Sequence, residues 1–149
     1  MKRNGVWMAH CPSSNMNVAS GIAPVRHYMD EGLRIGLGSD VAGETMESMF
    51  RAVTDAIQMS KLYWHYIDSG AMPLSFPEAL YLATKGGESF FGKVGSFEAG
   101  YAFDALGLDD TSEPTPRPLP IENRLERTFY LGLGRDGIAM KFVEGEQIV

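Results

Sequence analysis

A length of 149 residues suits one domain with a real core, and 44% hydrophobic against 21% charged residues excludes a disordered or fibrous chain. The net charge of -6, with no cluster of Lys and Arg, excludes a nucleic-acid partner, whose phosphates require clustered cations. A single cysteine rules out an internal disulfide, the apolar runs are too short to span a bilayer, and the first residues lack a signal peptide's apolar core, so a cytoplasmic chain without membrane contact is expected.

Residues 5–9, GVWMA, read as a short buried strand, and His10 to Asn15, HCPSSN, as a polar loop whose proline stops the strand pairing. Pro24 opens a helix through residue 31, with Val25, Tyr28 and Met29 on one face and Gly32 as its stop. Leu33, Ile35 and Leu37 alternate with Arg34 and Gly36 in a second strand, and the run LRIGLGSDVAG stops on Asp40 inside a glycine-rich turn. Strand, helix and strand joined by short loops predict a parallel pair with a right-handed crossover.

A longer helix is expected over 45–67, with Met46, Met49, Phe50, Val53, Ile57 and Trp64 as its packing stripe. Ser75 and Glu78 form a capping box for a third helix, which Gly86 and Gly87 break before a short helical turn at 89–91. Residues 95–108 read as a turn and an apolar strand. A proline-rich linker follows over 109–120, then a helix over 121–130 and a hairpin over 138–149 turning at Glu144 and Gly145.

The three histidines form no H-x-H or H-E-x-x-H pair, and there is no C-x-x-C. His27 and His65 fall within helices and read as surface or packing residues, and Cys11 as a small buried residue rather than a nucleophile. His10 and Asp40 end the two strands on one face, where an α/β barrel carries its active site. Asp40 is an ordinary turn acid, a metal ligand or a proton shuttle. His10 is either a pocket residue or the group that fixes the loop HCPSSN. Ser13, Ser14 and Asn15 either donate to a substrate or satisfy their own turn. Gly36, Gly38 and Gly43 lack the phosphate-loop pattern.

The segment HCPSSNMNVASGIAPVRHYMDEGLRIGLGSDVAG resembles the one joining the last two barrel strands in the guanine deaminases of the metal-dependent amidohydrolase superfamily. The similarity continues through SFPEALYLATKGGESFFGKVGSFEAGYAFDALGLD. H-C-P-x-S-N followed by G-L-G-[ST]-D carries the superfamily, and Val41, Ala42 and Gly43 favour guanine. Glu44 departs from the pattern, where a glycine is expected.

The resemblance implies an α/β fold: the last two βα units of a TIM-type (β/α)8 amidohydrolase barrel over 1–94, then the C-terminal strands of a small β-sandwich domain, with linker and helix, over 95–149. It implies hydrolysis of guanine to xanthine and ammonia with one zinc or iron ion, in a full-length homodimer. By the same resemblance Asp40 is the metal ligand and catalytic carboxylate, and the main purine contacts lie on earlier strands that this chain lacks; His10, Ser14 and Asn15 are its own candidates for the substrate pocket, from their place at the end of the first strand. The metal lowers the pKa of a water, and Asp40 takes up its proton.

A catalytic zinc takes about three protein ligands, and the resemblance supplies one. A closed barrel takes about 250 residues. The chain is therefore expected to be the carboxyl-terminal part of a longer enzyme, inactive alone and unable to hold zinc tightly. Two alternatives stand beside this reading: an adenosine-type or triazine aminohydrolase, and a non-catalytic module complementing a separate amino-terminal half.

Overall fold

The computed structural model describes residues 2–43, 47–112, 114–132 and 137–149. Its elements in chain order are β1 (Trp7–His10), α1 (Pro12–Asn17), α2 (Val25–Asp30), β2 (Arg34–Leu37), α3 (Met49–Tyr66), α4 (Phe76–Ala83), α5 (Lys85–Glu88), β3 (Ala105–Leu108), α6 (Ile121–Leu131), β4 (Ile138–Val143) and β5 (Glu146–Gln147).

β1 and β2 pair in parallel, Met8 opposite Ile35 and His10 opposite Leu37, as the strand-helix-strand pattern predicts. Between them, α2 ends where Gly32 takes φ +69°, a left-handed conformation natural to glycine. The Gly32 N–H donates to the Met29 carbonyl at 2.8 Å and the Leu33 N–H to that of Tyr28 at 2.9 Å. This double bond pattern turns the chain directly into β2.

The core lies between this strand pair and the helices. Val25, Ile35, Val53, Ile57, Leu74 and Leu82 are its largest buried aliphatic members. Residues 52–57 of α3 are buried all round, Thr54 and Asp55 included, so the middle of this helix is interior rather than amphipathic. The expected stripe holds at Val53 and Ile57, whereas Met49 and Trp64 are exposed, near the two ends where α3 leaves that core. The helix begins at Met49 because Ser48 caps it, accepting the Arg51 N–H. The expected start at Thr45 and the position of Met46 lie outside the described residues, as does Glu44.

Two further expectations are corrected. The stretch expected as a polar loop contains the first turns of α1, because Pro12 at the first helical position is already in helical geometry and Ser13 and Ser14 find partners elsewhere in the fold. The third helix, opened by the capping box of Ser75 and Glu78, breaks at Thr84, and Gly86 and Gly87 lie inside α5, with 89–91 non-helical. These glycines serve packing. A Cβ on Gly36 would come within 2.7 Å of the Gly87 Cα, and one on Gly87 within 2.7 Å of the Leu82 carbonyl oxygen. Bare backbone therefore lets α5 sit directly on β2.

The second sheet is antiparallel in the order β3-β4-β5, with Glu144 and Gly145 at φ +50° and +85° in the expected hairpin turn. α6 packs back on the first part of the chain, its Phe129 ring 4.6 Å from that of Phe50 and 5.1 Å from that of Phe76. Among the described residues no helix is long and apolar enough to cross a membrane.

Candidate functional site

The carboxyl ends of β1 and β2 bring His10 and Asp40 to the same end of the sheet. The ladder runs one bond further, from the Gly38 N–H to the His10 carbonyl at 3.0 Å, and the chain then turns sharply. Asp40 takes φ +55°, a left-handed conformation that Asp tolerates better than bulkier residues, and its carbonyl accepts the Gly43 N–H at 2.7 Å. Gly43 leaves room for the Asp40 and Ser14 side chains to meet. A Cβ at that position would lie 2.5 Å from Asp40 Oδ2 and 2.8 Å from Ser14 Oγ.

α1 grips this turn from the side. Ser14 Oγ donates to Asp40 Oδ2 at 2.6 Å, and Asn17, one helical turn on, donates from Nδ2 to the Gly43 carbonyl at 3.0 Å. The neighbouring Ser13 hydroxyl faces the interior and donates to Asp55 Oδ2. Asp55 is buried on α3, and its other oxygen pairs with Arg51 Nε at 2.8 Å. Asp40 itself is exposed. With Ser14 occupying one lone pair, an ionised carboxylate keeps capacity for a metal or a water.

His10 is 5% exposed, and its Nε2 has no hydrogen-bond partner among the described residues. Burial pushes its pKa down to about 4, because the charged ring would lose its hydration, so the imidazole is neutral at pH 7. Asn15 is half-buried, and its carbonyl accepts the Ser20 N–H at 3.0 Å, closing the end of α1. The structure thus joins Ser14 to Asp40 through side chains, His10 to the same strand end through its backbone, and Asn15 to the segment behind them. Among the described residues no three His, Cys, Asp or Glu side chains meet as a metal requires. Asp40 fits as one oxygen ligand and does not make a site alone.

A family model described as the amidohydrolase family matches residues 1–148. The chain belongs to the amidohydrolase family. It is 47% identical to a guanine deaminase from C. acetobutylicum, solved with guanine bound in its active site, with a TM-score of 0.93 over 99% of this chain and 35% of that one. It is 31% identical to guanine deaminase of Dictyostelium discoideum, over 95% of this chain and 32% of that protein. A 5-methylthioadenosine/S-adenosylhomocysteine deaminase of Nitratidesulfovibrio vulgaris is 34% identical over 91% of this chain and 30% of its own length. The chain spans about a third of the length of the curated relatives it matches.

In this amidohydrolase chain the other histidines keep to the surface, as their helical positions predict. His27 pairs with Asp68 at 2.7 Å, and His65 stacks edge-on against Tyr66. Cys11 is half-buried, with its sulfur 3.1 Å from where a Gly38 Cβ would stand, which suits a small packing residue. Sequence reasoning passed over Asp55 and Asn17. The available signal for Asp55 was an acid inside the apolar run AVTDAI, four residues after Arg51. For Asn17 it was the three-residue spacing from Ser14.

Proposed function

We propose that this chain is the carboxyl-terminal part of a guanine deaminase, which hydrolyses guanine to xanthine and ammonia. The observation that carries this reading is 47% identity over 99% of the chain to a guanine deaminase crystallised with guanine bound. On this reading β1 and β2 are the last two strands of a (β/α)8 barrel within residues 1–94. Residues 95–149 then belong to a small β-domain, with α6 reaching back to the barrel helices. The complete enzyme is cytoplasmic, homodimeric and holds one zinc or iron ion.

The residues divide the chemistry by what they can do. Asp40 is the carboxylate that this chain contributes to the metal, and it carries a proton from the attacking water to the departing ammonia. The metal, when bound, makes that water acidic enough to attack at neutral pH. Water adds to the amine-bearing carbon, the C–N bond breaks, and the product keeps the oxygen. Ser14 donates to Oδ2 and so holds the carboxylate in one rotamer. His10, neutral and with Nε2 unpartnered among the described residues, suits a purine nitrogen or carbonyl better than an anion. Asn15 completes the pocket wall.

The test is ammonia release by the full protein offered guanine, 5-methylthioadenosine and a triazine amine in parallel. Release from guanine alone is expected. Release from the adenosine derivative without guanine would move the substrate to the adenosine-type branch, which the 34% identical relative represents.

A further inference from the structure

We propose that Asp55 is a positioning residue for Asp40, acting through α1; this rests on reading Asp40 as the working carboxylate of the site. Asp55 is 2% exposed in the middle of α3, where an acid is costly unless it is both paired and hydrogen-bonded. It has both. Arg51 Nε stands 2.8 Å from Oδ1, and Oδ2 accepts the Ser13 hydroxyl across 42 residues of sequence. Ser13 and Ser14 are successive residues in the first turn of a helix, so their side chains point about 100° apart. One therefore reaches α3 while the other reaches Asp40.

α1 needs such an anchor. It has six residues, too few for a helix to hold by itself, and Cys11 at its N-cap makes no side-chain capping bond. Its position is thus decided by tertiary contacts: Pro12 is fully buried at its start, and the hydrogen bond from Ser13 to Asp55 orients the same turn on α3. If that bond is lost, the turn after β2 is loosened at two points, Ser14 to Asp40 and Asn17 to the Gly43 carbonyl. The relay runs Arg51, Asp55, Ser13, α1, Ser14, Asp40.

The experiment measures hydrogen–deuterium exchange of the segment 38–43, which holds the Gly43 amide bonded to Asp40, in the full protein. The variants are Ser13→Ala and Asp55→Asn, with Ser60→Ala as control. Ser60 is also a buried hydroxyl on α3, but it bonds Leu74 and Ile57 and not α1. The expected result is about tenfold faster exchange in Ser13→Ala and Asp55→Asn, with the control unchanged, since losing a supporting hydrogen bond shifts the local opening equilibrium by about that factor. Equal exchange in all three variants overturns the proposal. Should Asp55→Asn fail to fold, Ser13→Ala leaves the Arg51–Asp55 pair intact and decides alone.

A second reading uses turnover of guanine. Ser13→Ala should lower kcat about tenfold with a smaller rise in KM, because the carboxylate is misplaced while, of the pocket residues, only Asn15 moves with α1 and His10 stays on β1. Faster exchange with unchanged kcat would overturn the positioning role. If the unaltered protein releases no ammonia from guanine, the functional reading fails, and the exchange measurement still decides the relay.

Discussion

Beside its ladder with β1, β2 is held to the surrounding helices along its length by one kind of force and at its carboxyl end by another. Along the strand, Gly36 meets Gly87 with no side chain on either, and the contact is steric: backbone on backbone, at a distance that a Cβ would violate. Beyond Leu37 the chain is held by directional bonds instead, from Ser14 to the Asp40 carboxylate and from Asn17 to the Gly43 carbonyl. Close packing resists small displacements from every direction and offers no chemistry. Hydrogen bonds fix a polar group's orientation while leaving its remaining lone pairs open. A strand built on the first can therefore carry a reactive group mounted by the second.

Two substitutions separate these forces, and the larger effect belongs to the polar end. Asp40→Asn in the full protein should lower kcat for ammonia release by about 10²- to 10⁴-fold, the usual contribution of a positioned proton carrier. Its urea midpoint should stay put, because Asn also tolerates the left-handed φ at this position and offers an oxygen to Ser14. A large loss of stability with activity per folded molecule retained would mean that Asp40 is only a turn residue. Gly36→Ala should act in the opposite sense. Its new methyl meets the Gly87 backbone at 2.7 Å, and urea unfolding should report a loss of about 1–3 kcal/mol, as overpacking does.

The same division explains what could be read from the sequence. β1, α2, β2, the capping box at Ser75 and the Glu144–Gly145 hairpin depend on local chemistry, a period or a turn residue, and all were legible. α1 was not, because Ser, Ser and Asn in a row favour a turn until Asp55 and Asp40 take their hydroxyls. Gly86 and Gly87 read as helix breakers because their value lies in close packing, of Gly86 on Tyr81 and of Gly87 on Gly36, about fifty residues away in sequence. Asp40 stood out as an acid closing a strand; that Ser14 would be its partner required the fold. The trimming of the α3 stripe at Met49 and Trp64 likewise reflects where the core ends, which periodicity does not encode.

Acid separates the two regions further through His10, whose burial holds its pKa near 4. The unfolded chain takes up its proton near the ordinary value of about 6.5, while the folded chain resists until about 4. Stability should therefore be undiminished above pH 6.5 and fall by up to about 3 kcal/mol as pH drops to 4, with no further loss from this group below that. Chemical denaturation across that range should show the slope in the unaltered chain and lose it in His10→Gln. A slope that survives the substitution would assign the acid sensitivity to another group.

Glu78 gives the smallest effect and the cleanest control. Its carboxyl is held at about 2, first by the two-pronged hydrogen bond from Arg26, at 2.9 and 3.0 Å, and further by the Ser75 amide and hydroxyl. A carboxylate with a lowered pKa contributes stability that is complete above the unfolded value of 4.5 and is lost as pH falls toward 2. That window lies largely below the one His10 governs. The pair is partly exposed, so water and salt screen it and the change should be modest. Glu78→Gln should flatten only the limb below pH 4.5 and leave the slope between 6.5 and 4.5 untouched, since Glu78 caps α4 far along the chain from the strand ends. If Glu78→Gln instead altered the upper limb, the helix start and the polar end of β1 would be coupled, and the separation between the packed and hydrogen-bonded regions would fail.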